Sequence, residues 1–325
     1  MEELALEIYE KIFRYFLNVS LINLSRTNKF FYSLVKDYIK LKKINLKCKS
    51  FRFPLQINFD KWSKIIKIED SFAMVNKNQI TDFYPMDLYD FGGEKFTNVE
   101  YYRGYFFTSK YDSCITVTDK NLNTVLKIGP LNEAGSTVVG FEIRGDKIYF
   151  CSSFNQVSIY SLNGDLIKEF KTKYCSSFLK LSDDGKIIYV AFSKQNSVIA
   201  YENGNEYKEL KTFYFKKFGK VKVLATKGPM FFVGLENGNV NVFKNLEYCY
   251  YVKTNFEKID QILPVGMCFY AINYSSHKVK FCECKKIVNI INFKDLGVIS
   301  KRFTLDNQGN LVMVYSMKNL PIGFD

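Results

Sequence analysis

The sequence is poor in the residues on which most enzymes and many nucleic-acid binders depend. Among 325 residues there is one His, His277, and one Trp, Trp62. A single imidazole excludes centres built on several histidine ligands and leaves at most one Ser-His or Cys-His pair. Arg is scarce as well: of 46 basic residues only Arg14, Arg26, Arg52, Arg103, Arg144 and Arg302 are Arg, and the other 40 are Lys. Arg is the residue that grips phosphate and base edges bidentately, so the net charge of +13 does not point to nucleic acid as a partner. No apolar run approaches the roughly 18 residues a membrane helix needs, so no membrane partner is expected. The opening residues, Met-Glu-Glu-Leu-Ala-Leu-Glu, are acidic and lack the cationic start of a secretory signal. The eight cysteines, at 48, 114, 151, 175, 249, 268, 282 and 284, form no Cys-x-x-Cys pair. A reducing compartment, cytosol or nucleus, is the expectation.

Aromatic residues, in contrast, are plentiful, with 31 Phe and 23 Tyr, and hydrophobic residues make up 47% of the chain. That is enough to bury a large core, and at roughly 150 residues per domain the length suits about two domains. Catalytic patterns do not emerge. The nearest string to a phosphate loop, Gly129 to Gly135-Ser136, has the wrong spacing and no Lys, and no Gly-x-Ser-x-Gly elbow occurs. Period two would put Cys282 and Cys284 on one face of a strand near His277. No further Cys or His pair stands at metal spacing, so these read as buried thiols. Asp183, Asp184 and Glu206 fall in turns, where acids are ordinary. No catalytic residue, metal or cofactor is assigned, and the expectation is a protein that is not an enzyme.

From about residue 51 the chain reads as strands. Short apolar-aromatic runs begin at Ser71, Gly104, Lys147, Lys186, Pro229, Met267 and Asn310, at intervals of 33, 43, 39, 43, 38 and 43 residues. The mean, near 40, is the period of a four-stranded propeller blade, about 40–45 residues. Turns such as Arg144-Gly145-Asp146 and Asp183-Asp184-Gly185 precede the runs. Second runs follow at Gln156, Ser197 and Asn239, and hairpin signals at Asn163-Gly164 and Asn203-Gly204 come after them. The fold expected is mainly β: a seven-bladed β-propeller over 51–325. The last unit has room for three strands only, so segment 51–60 is expected to supply an outer strand and close the ring. Pro54 suits such an edge. The Gly-His and Trp-Asp marks of WD repeats are absent, so the resemblance to a WD-type propeller is one of period. A double β-sandwich is the alternative for a strand-rich chain.

The first forty residues are different. Leu4, Ile8, Ile12 and Phe16 fall on one helical face with Phe13 beside it. A second short helix carries Leu21, Ile22 and Leu24, and a third carries Phe31, Leu34, Val35 and Tyr38. Leu4-Ala5-Leu6-Glu7-Ile8, Ile12-Phe13, Tyr15-Phe16, Leu21-Ile22-x-Leu24-Ser25 and Asn28-Lys29-x-Phe31 together resemble an F-box, aligned without a gap over about residues 4–34. Ala5 stands where that family usually has Pro, and Arg26-Thr27 where it usually has an apolar pair. The alternative for the same residues is an amphipathic cap on the next domain. The division expected is a three-helix F-box-like domain at 1–40, a linker at 41–50 and the propeller beyond. Half the positions between residues 40 and 49 are Lys (Lys40, Lys42, Lys43, Lys47 and Lys49), which suits a solvated boundary, a localisation patch or an anion-binding strip.

An F-box followed by a propeller resembles the substrate receptors of cullin–RING ubiquitin ligases. The resemblance implies that Leu4, Ile8, Ile12, Phe13, Leu21, Leu24 and Phe31 pack in, or contact, a Skp-type adaptor and through it a cullin. It further implies that the propeller holds a protein substrate and contributes proximity rather than bond chemistry. Lys77, Lys110, Lys194 and Lys278 fall in loops between second and third strands, and Arg302 near the start of a first strand. These five are the candidate contacts to an acidic or phosphorylated substrate. Scattered lysines on any face are the plainer reading, and a propeller scaffold unconnected with ubiquitin is the alternative function.

Overall fold

The computed structural model describes residues 49–52, 64–69, 71–77, 79–82, 88–91, 96–110, 114–129, 137–215, 219–283, 285–292, 298–306 and 310–317. The F-box-like segment and its seven candidate contacts lie outside them. Two compact units are formed, residues 60–290 and residues 1–59 with 291–325.

The larger unit is built of four-stranded antiparallel sheets that follow one another in chain order. Blade three shows the plan, with strands Val138–Arg144, Lys147–Ser152, Gln156–Ser161 and Leu166–Lys171 paired in sequence. Blades one, two, four, five and six repeat it over residues 64–90, 98–128, 178–214, 221–253 and 261–292. First strands of consecutive blades lie beside one another at all five seams, which is the arrangement of a β-propeller.

The count corrects the expectation of seven blades: the described residues form six. The 40-residue period tallies second strands, and the seventh of these, Leu311–Met317, does not sit in a complete blade. Its sheet, in the smaller unit, has three strands in the order Lys49–Arg52, Leu311–Met317, Val298–Leu305. Lys49–Arg52 runs parallel to Leu311–Met317, with Phe51 opposite Val314, and it begins inside the segment read as linker. Residues 53–60, expected to continue an outer strand, lie outside the described ones.

Each seam of the larger unit has its own apolar cluster, and second strands supply two clusters at once. Tyr149 packs into the seam with blade four while Phe150 faces blade two. Phe231 likewise faces blade four and Phe232 blade six. A strand covered on both faces loses the alternation of a half-exposed one and reads as a continuous apolar run. Fully burying each such Phe contributes about 1.5–3 kcal/mol. Fourth strands are the opposite case: Leu166–Lys171 is exposed almost throughout, and its Lys and Glu side chains discourage pairing at a free edge. Among the described residues no helix is long and apolar enough to cross a membrane.

A polar chain ties the first strands of blades one to five. Lys64 donates to Asn98 Oδ1, and Asn98 Nδ2 donates to the Phe141 carbonyl at 2.9 Å. Glu100 accepts from Ile143 N at 3.0 Å. Glu142 accepts from Lys180 Nζ at 2.9 Å and from Leu181 N at 2.8 Å, and Thr226 donates to the Leu181 carbonyl at 2.8 Å. Burial pushes the Glu100 carboxyl up to about 7 against the pull of Lys64, and burial lowers the Lys64 ammonium to about 8 against the pull of Glu100. These groups are costly to bury and are held there by one another.

Candidate functional site

The loops after second strands and those leading into first strands share one face of the blades, and a cleft opens on that face at the seam of blades five and six. This cleft of about 270 Å³ is lined by Asn255, Phe256, Glu257, Asn273, Ser275, Ser276, Lys278 and Lys280. All of it belongs to the larger unit.

The wall comes from the connection after strand Glu247–Lys253. Gly238 sits at φ +78°, and a Cβ there would fall 1.9 Å from the Phe256 carbonyl oxygen, so only glycine lets this connection approach. Thr254, fully buried, donates through Oγ1 to the Gly238 carbonyl at 2.6 Å and accepts from Phe256 N at 3.2 Å. Asn255 takes the left-handed conformation, φ 55°, which turns the chain back over blade six. On the other side Asn273 Nδ2 donates to the Lys258 carbonyl at 2.8 Å, and Asn273 Oδ1 accepts from Ser276 N at 2.6 Å. These bonds preorganise both rims.

The floor is strand Lys278–Glu283. Its period of two puts Lys278, Lys280 and Cys282 on one face. Lys280 is only 7% exposed. Its ammonium donates to the Thr254 carbonyl and lies 4.4 Å from the centre of the Phe256 ring. Neither Lys278 nor Lys280 has a carboxylate partner among the described residues; the nearby Lys258 is paired with Asp260 at 3.2 Å. Burial first, and then the charge of Lys278, pulls the Lys280 ammonium below its ordinary value. Burial pushes the Cys282 thiol up to about 12, which leaves it protonated and inert.

Of the five candidate cations, Lys278 alone reaches this cleft. Lys77 is exposed in the corresponding turn of blade one and Lys194 in that of blade four. Lys110 is half-buried at the end of strand Tyr105–Ser109 in blade two. Arg302 is buried inside Val298–Leu305, in the smaller unit. Sequence reasoning missed Lys280, Asn255 and Phe256. The pairing register aligns Lys280 with Thr116, Ser158, Ile199 and Asn241 of blades two to five, and that comparison marks it as the one charged residue at an inward position. His277 lies in a turn at φ 55°. Among the described residues no group of three or more His, Cys, Asp or Glu is placed to hold a metal.

Blades that present a preorganised polar cleft on a loop face define a binding platform, the class of protein to which propellers lend themselves. Comparison with known families adds the other half: residues 1–43 match the family model for the F-box domain. A comparison with curated proteins finds no match to the chain. The protein therefore joins an F-box to a β-propeller. F-box domains generally bind Skp-type adaptors, and the combination fits an F-box substrate adaptor, an architecture typical of non-enzymatic proteins.

Proposed function

We propose that the protein is the substrate-recognition subunit of a Skp–cullin–F-box type ubiquitin ligase. Residues 1–43 dock on the Skp-type adaptor through Leu4, Ile8, Ile12, Phe13, Leu21, Leu24 and Phe31, and the adaptor joins them to a cullin. The propeller holds an acidic or phosphorylated protein substrate on its loop face. Nothing in this reading requires bond chemistry from the chain: tethering substrate and conjugating machinery raises their effective concentration. The observation that carries the reading is the joining of an F-box match to a propeller in one chain. The six described cysteines are thiols, which suits work in the cytosol or nucleus.

The test is capture of the Skp-type adaptor of the same organism by the full chain. The expected result is co-purification that is lost in the double variant Leu4→Asp, Ile8→Asp, with thermal melting of the propeller unchanged. A folded protein that fails to capture the adaptor contradicts the reading.

A further inference from the structure

We infer that the cleft at the seam of blades five and six is a carboxylate-binding subsite, with Lys280 as its buried anchor and Glu257 as the residue that sets the charge it accepts. The inference deepens the substrate-receptor reading and rests on it for the biological role, though not for the binding itself.

Three observations lead here. First, a buried ammonium needs compensation, and Lys280 has a single carbonyl and one ring face. An ammonium has three donor hydrogens, and Lys280 lines the cleft. Second, Lys278 stands two residues away on the same strand face, also without a carboxylate among the described residues, so two like charges share one opening. An anion between them relieves both the repulsion and the missing partner. Third, the balance of charge decides which anion. Lys278 and Lys280 give two positive charges and Glu257 one negative, for a net of one positive at the cleft. A carboxylate neutralises this, whereas a phosphomonoester carries about −1.5 to −2 near neutral pH and would meet the carboxylate of Glu257 with excess charge. The absence of Arg removes the bidentate fork that favours phosphate. Ser275, Ser276 and Asn255 supply neutral donors at the rim, and the Phe256 ring offers an apolar contact to whatever bears the acid.

The experiment uses the full chain and four pools of N-acetylated pentapeptides, the first three C-amidated, read by competition against a fluorescent member of the first pool. The first three pools fix the central residue as Glu, Gln or phosphoserine. The fourth has central Gln and a free C-terminal carboxylate, which separates a side-chain acid from a chain terminus. The Glu pool should compete about tenfold better than the Gln pool, as expected for a charge meeting a desolvated partner, and no worse than the phosphoserine pool. Lys280→Met should abolish that preference. Glu257→Gln, an exposed change that leaves the fold alone, should shift preference severalfold towards phosphoserine. Superiority of the fourth pool over the first would assign the subsite to chain termini and leave the carboxylate chemistry intact. Equal competition by the Glu, Gln and free-terminus pools, or a phosphoserine preference already present in the wild type, overturns the inference. Should Lys280→Met fail to fold, Glu257→Gln still decides. Adaptor capture, measured separately, shows whether the ligase reading stands or falls on its own.

Discussion

The seams of the propeller treat buried charge in two ways. Between blades one and four, Lys64, Glu100, Glu142 and Lys180 face each other from adjacent first strands, and each carboxylate also accepts a backbone N–H from the next blade. Between blades five and six the first strands offer Ala225 and Leu263 at the positions that Glu100 and Glu142 occupy. The buried charge is displaced there to the third strand, where Lys280 meets a carbonyl and a ring. Paired charges inside a protein are architecture, expensive to break and specific in register. An unpaired one beside an opening is a binding device awaiting its counter-ion.

The comparison can be broken most forcefully at Glu142. Glu142→Ala leaves Leu181 N without its acceptor and Lys180 without its carboxylate, and should cost about 3–5 kcal/mol in equilibrium denaturation. A cost below about 1 kcal/mol would mean the polar chain is incidental. Glu100 allows a subtler test. Its carboxyl is raised from 4.5 to about 7 in the folded state, so the folded protein holds that proton longer than the unfolded chain does. The stabilisation is intact below pH 4.5 and is lost as pH rises towards 7. Glu100→Gln removes this dependence, so the melting temperature of the variant should gain on wild type steadily across that interval. Parallel melting curves at every pH would show that burial does not govern Glu100.

Much of the fold was legible because of how second strands pack. Met230–Leu235 and Lys147–Ser152 are covered on both faces, and their unbroken apolar runs set the period. Fourth strands are exposed, and they were legible from the hairpin signals at Asn163-Gly164 and Asn203-Gly204, which lie just before the strands Leu166–Lys171 and Glu209–Tyr214. The blade count misled because a period reports one strand per blade, whereas a complete blade needs four. At the site, Lys278 was legible from its place after a second strand. Lys280 was not: one lysine in a strand reads as solvent-facing. Its burial comes from residues 254–257 of the preceding blade, brought close through Gly238, a tertiary contact without local signature.

Paired changes at Lys180 and Lys280 address the contrast most directly. Each lysine is replaced by Met, which keeps the length of the stem and removes the charge, and the two variants are compared with wild type by equilibrium denaturation. Lys180→Met leaves the buried Glu142 carboxylate with Arg144, at 3.5 Å, as its one remaining cation among the described residues, and should destabilise by about 1–3 kcal/mol, the lower end reflecting that second pair and the partial exposure of Lys180. Lys280→Met strands no carboxylate among the described residues, only the Thr254 carbonyl, and that loss is offset by no longer burying an ammonium, so the variant should lie within about 1 kcal/mol of wild type. Equal losses in the two variants would contradict the distinction between a charge that holds the fold and one that waits for a ligand.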